Sequence, residues 1–118
     1  MTTDIVDDRD AALEIGYRAT EWIEPTTFEQ YLDMAASWQV ELVVRDGEPI
    51  GAVFRKDGET HVSILPEWRR RWLSRGLLKK LLTDTRRSRV ENGHEFMYGV
   101  LERLGFRRDD DGTLTREN

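Results

Sequence analysis

Apolar residues recur with a helical period in the first third of the chain. Over 7–23 the apolar positions form one stripe: Ala12, Ile15, Ala19, Trp22 and Ile23. Asp7 or Asp8 suits the N-cap of this helix, and Pro25 ends it. A second helix is predicted over 26–37, where a second set of side chains shares one face: Phe28, Tyr31, Leu32 and Ala35.

The pattern then changes to the two-residue period of strands. β-Branched and polar residues predict strands over 39–46, 49–56 and 60–65. Tight turn signals separate them, and Asp57-Gly58 is the stronger one because this pair tolerates positive φ. Two hairpins in a row predict an antiparallel β-meander.

Leucines at helical spacing follow the meander. They predict a long amphipathic helix from 73 to about 90, with this apolar stripe: Leu73, Leu77, Leu78, Leu81 and Leu82. A shorter helix in EFMYGVLERL stops at Gly105, and a last strand follows, with a hairpin at Asp111-Gly112. The order predicts one α+β domain over 1–118, with two N-terminal helices, a meander, a long helix, and a short C-terminal helix and strand.

Composition limits the classes of protein that this domain can represent. Its 118 residues suit a single core, and 38% apolar with 35% charged residues suits a globular chain. The absence of cysteine excludes a cysteine nucleophile, and His61 and His94 are too far apart to predict a metal site. The acidic N-terminus lacks an apolar run and no stretch reaches about 20 apolar residues, so we expect a cytoplasmic protein outside the membrane.

Charge is distributed unevenly along the chain. Residues 1–33 carry nine acidic and two basic residues, whereas 69–89 carry nine basic residues and one acidic residue. A basic helix beside Trp68 and Trp72 suits nucleic-acid binding, but a pI near 5.1 argues against it. Complementary acidic and basic segments also suit a salt-sensitive homo-oligomer.

The stretch ILPEWRRRWLSRGLLKKLL, residues 64–82, combines a strand end, an arginine-rich loop and a helix start. A helix start presents unpaired N–H groups and a partial positive charge, and arginine binds phosphate through two parallel hydrogen bonds. The stretch therefore predicts an anion site.

The order of elements and two motifs resemble the GNAT superfamily of N-acetyltransferases. There, the fourth strand ends in a pattern like V-x-P-x-x-R-G-x-G-x-G/A-x-x-L-L; this chain has Ile64, Pro66 and Arg69, with Trp72 and Ser74 at glycine-type positions. The second motif, an asparagine one helix before Y-x-K-L-G-F, corresponds to Asn92 and to the segment 101–106. The resemblance spans about residues 4–108 and is closest to small GNAT-like proteins of tailed phages and prophages.

The resemblance implies an acetyl-CoA site. The implied cofactor contacts are Leu65, Arg69, Arg70, Arg71, Trp72, Leu73, Ser74, Arg75 and Asn92. Trp72 either covers the adenine or pantetheine from outside or fills the slot where glycine would admit the cofactor, and we favour the second alternative.

The implied catalytic groups fall near the third meander strand and on the last helix. His61 and Glu59 are candidate bases, with Glu67 beside the loop as a further one. Leu101 replaces the tyrosine that protonates the leaving thiolate, so Tyr98, one turn earlier, is the candidate acid. The superfamily's parallel fifth strand has only RSRVEN available, as a stub around Val90 or not at all.

Two functions follow from the resemblance. The first is transfer of an acetyl group from acetyl-CoA to a small amine or a protein amine. The alternative is a non-catalytic phage virion or assembly protein that has lost the cofactor and binds phage structural proteins or other copies of itself. A phage-encoded chain would act in the host cytoplasm or in the virion.

Overall fold

The structure, a computed structural model, describes residues 3–20, 22–69, 71–72, 74–90 and 95–117, without the side chain of Arg75. Four α-helices are described: α1 (Arg9–Ala19), α2 (Phe28–Ala35), α3 (Arg75–Leu82) and α4 (Met97–Arg103). The described strands are β1 (Thr3–Val6), β2 (Gln39–Arg45), β3 (Glu48–Lys56), β4 (Glu59–Ile64), β5 (Arg87–Arg89), β6 (Arg107–Arg108) and β7 (Thr113–Thr115). Within these ranges, no helix has the length and apolar character needed to span a bilayer.

The strands form one mixed sheet in the order β1-β2-β3-β4-β5-β7-β6. Every neighbouring pair is antiparallel except β4 and β5. The meander of β2, β3 and β4 is confirmed, and both of its turns place an Asp-Gly pair at positive φ: Asp46-Gly47 and Asp57-Gly58. The predicted α+β class and the C-terminal hairpin are confirmed as well.

Helices cover both faces of the sheet and give the domain two apolar clusters. On one face, α1 and α2 pack Ala12, Ile15 and Tyr31 against β2 and β3. On the other face, Leu78 and Leu81 of α3 join the valines and isoleucines of the sheet. Because side chains alternate along a strand, β2 and β3 contribute side chains to both clusters.

The structure differs from the prediction in one missed strand and two helix ends. The strand β1 was missed, because its four residues contain only two apolar side chains; it pairs Ile5 with Val43 at the edge of the sheet. The first helix ends at Ala19 instead of 23, since Thr20 adopts an extended conformation. The long helix ends at Leu82 instead of about 90, because Thr83, Asp84 and Thr85 after it are weak helix formers.

The early end of α3 frees the chain to form β5. This strand is the predicted stub, displaced to Arg87–Arg89, and it pairs parallel to β4 at Glu59 and Thr60 only. Its sequence lacks an apolar run because only Ser88 faces the interior, where its Oγ donates to the carbonyl of Thr60 at 2.8 Å. A strand of three residues that is buried on one face can have a single inward side chain, so it needs no apolar run.

Candidate functional site

The strands β4 and β5 separate after one short stretch of pairing. Their register ends at Thr60 opposite Ser88, whereas β4 continues to Ile64. The remaining part of β4 therefore has an edge that no described strand pairs with on that side. Such an edge can bind an extended ligand through main-chain hydrogen bonds.

The backbone of β4 alternates its hydrogen-bonding directions along this edge. The N–H of Leu65 donates to Ile50 of β3 at 2.8 Å, so odd-numbered residues bond to β3. The carbonyl of Thr60 accepts from Ser88, and that of Ile64 accepts from Arg69 Nε at 3.1 Å, both away from β3. Val62 lies between them with the same parity, and its N–H and carbonyl therefore point into the space between β4 and β5.

Trp72 borders this space, where it lines a cavity together with Val62 of β4 and Ser88 of β5. Its side chain is 3% exposed and lies in the apolar cluster of the α3 face. Together with Val62, Leu78 and Met97 it lines a residual cavity of about 50 Å³ between β4, α3 and α4. This burial agrees with the alternative in which Trp72 fills the slot, because an outward-facing ring would be exposed.

Trp72 is held in the slot by apolar contact alone among the described residues. Its indole Nε1 is buried and has no hydrogen-bond partner in the described part of the chain. A buried donor without a partner is unfavourable by about 1–3 kcal/mol. The ring can therefore leave the slot without breaking a hydrogen bond to any described group.

The start of α3 retains the features of an anion site. Ser74 is its N-cap, and the Ser74 Oγ accepts from the N–H of Leu77 at 3.2 Å. Around Gly76 there is open space, since an added Cβ would meet no atom within 4 Å. The side chain of Arg75 and the residues Arg70, Leu73 and Asn92, all predicted cofactor contacts, lie outside the described parts of the chain.

Two other predicted phosphate ligands are described. Arg69 is 8% exposed; its guanidinium donates to the carbonyls of Ile64 and Ala19, each at 3.1 Å. This places Arg69 between the end of α1 and the end of β4, a structural position instead of the predicted contact with phosphate. Arg71 is exposed, with its guanidinium carbon 4.8 Å from the centre of the Trp68 ring, and it remains available to an anion at the loop surface.

The opposite face of β4 carries a second group of predicted residues. His61 and Ser63 point toward α1 and α2, and the His61 Nε2 lies 2.5 Å from a carboxylate oxygen of Glu59. Glu59 also lies 3.4 Å from Arg87 Nη1 of β5. The structure thus brings the two predicted bases together, partly buried, beside the open edge of β4.

Other predicted groups lie away from this edge. Tyr98 does not line the residual cavity; the guanidinium of Arg108 lies 4.0 Å from its ring centre, and its hydroxyl lies against Gly112 in the last hairpin. Its placement therefore does not match the predicted role as the acid. Glu67 is exposed in a short 3-10 helix, Pro66–Trp68. Leu65 is half-buried and packs against the α1 and α2 cluster.

The aromatic walls of the cleft beside His61 were not predicted from the sequence. The cleft measures about 240 Å³ and is lined mainly by aromatic residues from α2, the sheet and the loops on either side of α2. A signal was present in the sequence, because Phe54 and His61 fall on strand positions of the same face. The contributions of Trp22 and Trp38 depend on how two loops fold back, which periodicity does not reveal.

Comparison with known proteins supports the fold. No protein-family model matches the chain, and no curated protein matches its sequence. Ard1 from Thermoplasma volcanium is similar in structure, with a TM-score of 0.64 at 16% identity over 98% of this chain and 95% of that one. The ribosomal-protein-S18-alanine N-acetyltransferase from Escherichia coli gives a TM-score of 0.60 at 17% identity, over 96% and 88% of the two chains.

A third similar structure contains a bound cofactor. The PaiA N-acetyltransferase from Thermoplasma acidophilum, solved in complex with coenzyme A, has a TM-score of 0.56 at 14% identity, covering 97% of this chain and 96% of that one. The chain therefore has the fold of the GNAT N-acetyltransferases over nearly its whole length.

The fit of coenzyme A to this chain differs between two parts of the site. The capped start of α3, with open space at Gly76, fits a phosphate group. The slot between β4 and β5 has only about 50 Å³ left, too little for a pantetheine arm while Trp72 remains inside. With the indole removed, the apolar side chains of Val62, Leu78 and Met97 would line a channel along the free edge of β4.

Proposed function

We propose that the protein is an N-acyltransferase that transfers an acetyl group from acetyl-CoA to an amine, with Trp72 as the closing residue of the cofactor slot. One observation carries this proposal. The free edge of β4 separates a slot on the α3 face from a His61–Glu59 pair on the α1 and α2 face. An acyl group on one side and an amine on the other would meet at Val62.

The described parts of the site each have a proposed task that follows from their position. Acetyl-CoA, when bound, supplies the acetyl group as an activated thioester. The N–H of Val62 points into the slot, where it can polarise a carbonyl. The start of α3 attracts the phosphates through its unpaired N–H groups and its partial positive charge.

The His61–Glu59 pair is the candidate base. An amine is protonated at neutral pH and must lose a proton before it can attack a carbonyl. A carboxylate bonded to an imidazole orients the ring and stabilises the positive charge that it gains. This pair therefore suits proton removal from an ammonium group next to β4.

The acceptor is expected to be a small amine or a protein amine. The similar enzyme from Escherichia coli is described as acting on an alanine of ribosomal protein S18, which illustrates that the fold accepts a protein amine. The links to phage structural proteins and to a homo-oligomer stay predictions from the sequence. A non-catalytic protein remains the alternative that the following assay tests.

Release of free CoA tests the proposal. Because the chain has no cysteine, a thiol reagent detects CoA without any signal from the protein. With acetyl-CoA and a panel of primary amines, we expect amine-dependent thiol release. His61→Gln and Glu59→Gln should lower the rate by about 10²–10⁴-fold, the usual contribution of a general base.

Glu102→Gln is the matched control, because Glu102 is exposed and pairs with Arg108 as Glu59 pairs with Arg87. Its rate should stay within about twofold of the unmodified protein, as expected for a surface substitution. If folded protein releases no thiol with any amine, the proposal is wrong and the non-catalytic alternative is favoured. Equal losses in all three variants would remove His61 and Glu59 from the proposed chemistry.

A further inference from the structure

The cleft on the α1 and α2 face has the composition of a site for an apolar group. Aromatic and thioether side chains form its walls: Trp22, Tyr31, Met34, Trp38 and Phe54. His61 and Ser63 of β4 supply its polar floor. Its volume of about 240 Å³ lies below the roughly 300–1,000 Å³ of drug-sized ligand sites, so it fits one compact group.

The walls of this cleft are preformed. Trp22 and Tyr31 meet edge to face with their ring centres 5.7 Å apart, and Tyr31 meets Phe54 in the same way at 6.2 Å. Arg9 fixes the position of Trp38 by donating to its carbonyl at 2.7 Å. A rigid aromatic wall loses little entropy when a ligand binds.

The aromatic faces around the cleft can attract a cation. None of the described lining residues is Asp, Glu, Lys or Arg; Glu59 lies outside the lining and is bonded to His61 of the floor. Aromatic faces attract ammonium groups, and Lys56 already places its Nζ 5.8 Å from the centre of the Trp38 ring. The ring of Trp38 in turn lies 5.3 Å from the His61 ring.

We infer that the acceptor is a small primary amine with an aromatic or bulky aliphatic group a few bonds from the nitrogen. The apolar group enters the aromatic cleft, and the ammonium group lies at His61 and Glu59, next to the free edge of β4. This inference rests on the proposed function for its chemistry. Binding of the amine, however, requires neither acetyl-CoA nor turnover, and it can be measured separately.

Calorimetric titration with 2-phenylethylamine, without acetyl-CoA, measures that binding. We expect 3-phenylpropionate, which has a ring and a negative charge, and 1,4-diaminobutane, which has the charge without a ring, to bind at least tenfold more weakly. Equal affinity for either comparison compound would overturn the inference, since the site would then not combine an apolar pocket with a cation site.

Two lysine substitutions on α2 form a matched pair. Met34 lines the cleft and is 62% exposed, whereas Leu32 is 36% exposed and is not among the lining residues. Met34→Lys should weaken binding of 2-phenylethylamine at least tenfold by placing a positive charge at the entrance, and Leu32→Lys should leave it within about twofold. Because both positions are on the surface, both variants should fold.

Trp38→Leu provides a second test inside the cleft, with Trp68→Leu as its control on the other face of the sheet. Binding should fall at least tenfold in the first variant only; equal effects of both would overturn the inference.

The binding and activity measurements together distinguish the two proposals. If the amine binds as expected but no thiol is released, the amine site is supported and acyl transfer is rejected. Thiol release that is fastest with 1,4-diaminobutane would retain acyl transfer and reject the apolar acceptor.

Discussion

The variant Arg69→Met distinguishes two roles of Arg69: a structural role in the fold and a contact with phosphate. Arg69 is 8% exposed, and its guanidinium joins two elements that are distant in the sequence. Its Nε donates to the carbonyl of Ile64 at the end of β4, and one Nη donates to the carbonyl of Ala19 at the end of α1. Methionine keeps an unbranched apolar stem of similar reach but has no donor to offer.

The expected loss of stability follows from these two bonds. A hydrogen bond to a charged group contributes about 1.5–3 kcal/mol, so the pair contributes about 3–6 kcal/mol in gross terms. Removing a buried charge recovers part of its desolvation penalty, and the carbonyl of Ala19 can bind water at the end of its helix. We expect a net loss of about 2–3 kcal/mol in the free energy of unfolding.

Urea denaturation measures this loss, and Arg71→Met is the control. Arg71 is exposed and donates to the carbonyl of Glu67, so its substitution should change the free energy of unfolding by less than about 0.5 kcal/mol. Equal stability of the two variants would refute the structural role of Arg69. If the Arg69→Met variant is as stable as the unmodified protein but has lost affinity for CoA, the phosphate contact predicted from the sequence would be supported.

The remaining predictions concern packing. Leu101 is 3% exposed in the α3-face cluster, so Leu101→Ala should lower the free energy of unfolding by about 2–5 kcal/mol through the cavity that it leaves. A loss below about 1 kcal/mol would show that this position is not part of the core. Gly16 lies under α2, and an added Cβ would come 2.5 Å from the Tyr31 hydroxyl. Gly16→Ala should therefore destabilise the protein by about 1–2 kcal/mol in thermal melts, although alanine favours helix; a stabilised variant would contradict this packing.

The sequence predicted the features of the fold that depend on local chemistry. Periodicity located the meander, and the Asp-Gly pairs specified both of its turns. Gly105, expected to end the last helix at positive φ, has φ of 99°, and Phe106 after it is 3% exposed. Leu101, the residue in place of the tyrosine, points into the core as predicted.

The features that the sequence did not predict depend on contacts between distant segments. Arg69 bonds to a carbonyl 50 positions earlier in the chain, so its role in the loop could not be inferred from the loop. The position of β5, predicted only as a stub around Val90, involves polar contacts that a search for apolar runs overlooks: the buried hydroxyls of Thr60 and Thr85 meet at 2.7 Å, and Ser88 bonds to β4. The aromatic cleft likewise joins side chains from one helix, two loops and two strands.

Affinity for CoA before and after removal of the Trp72 side chain tests the central claim most directly. If Trp72 closes the slot, Trp72→Gly should bind CoA at least tenfold more tightly than the unmodified protein in calorimetric titration, a gain of about 1.4 kcal/mol or more. Because Trp72 is buried, Trp72→Leu serves as a second variant of higher stability and should tighten binding in the same direction. Weaker binding by both folded variants, or no binding by any of the three proteins, would contradict the account.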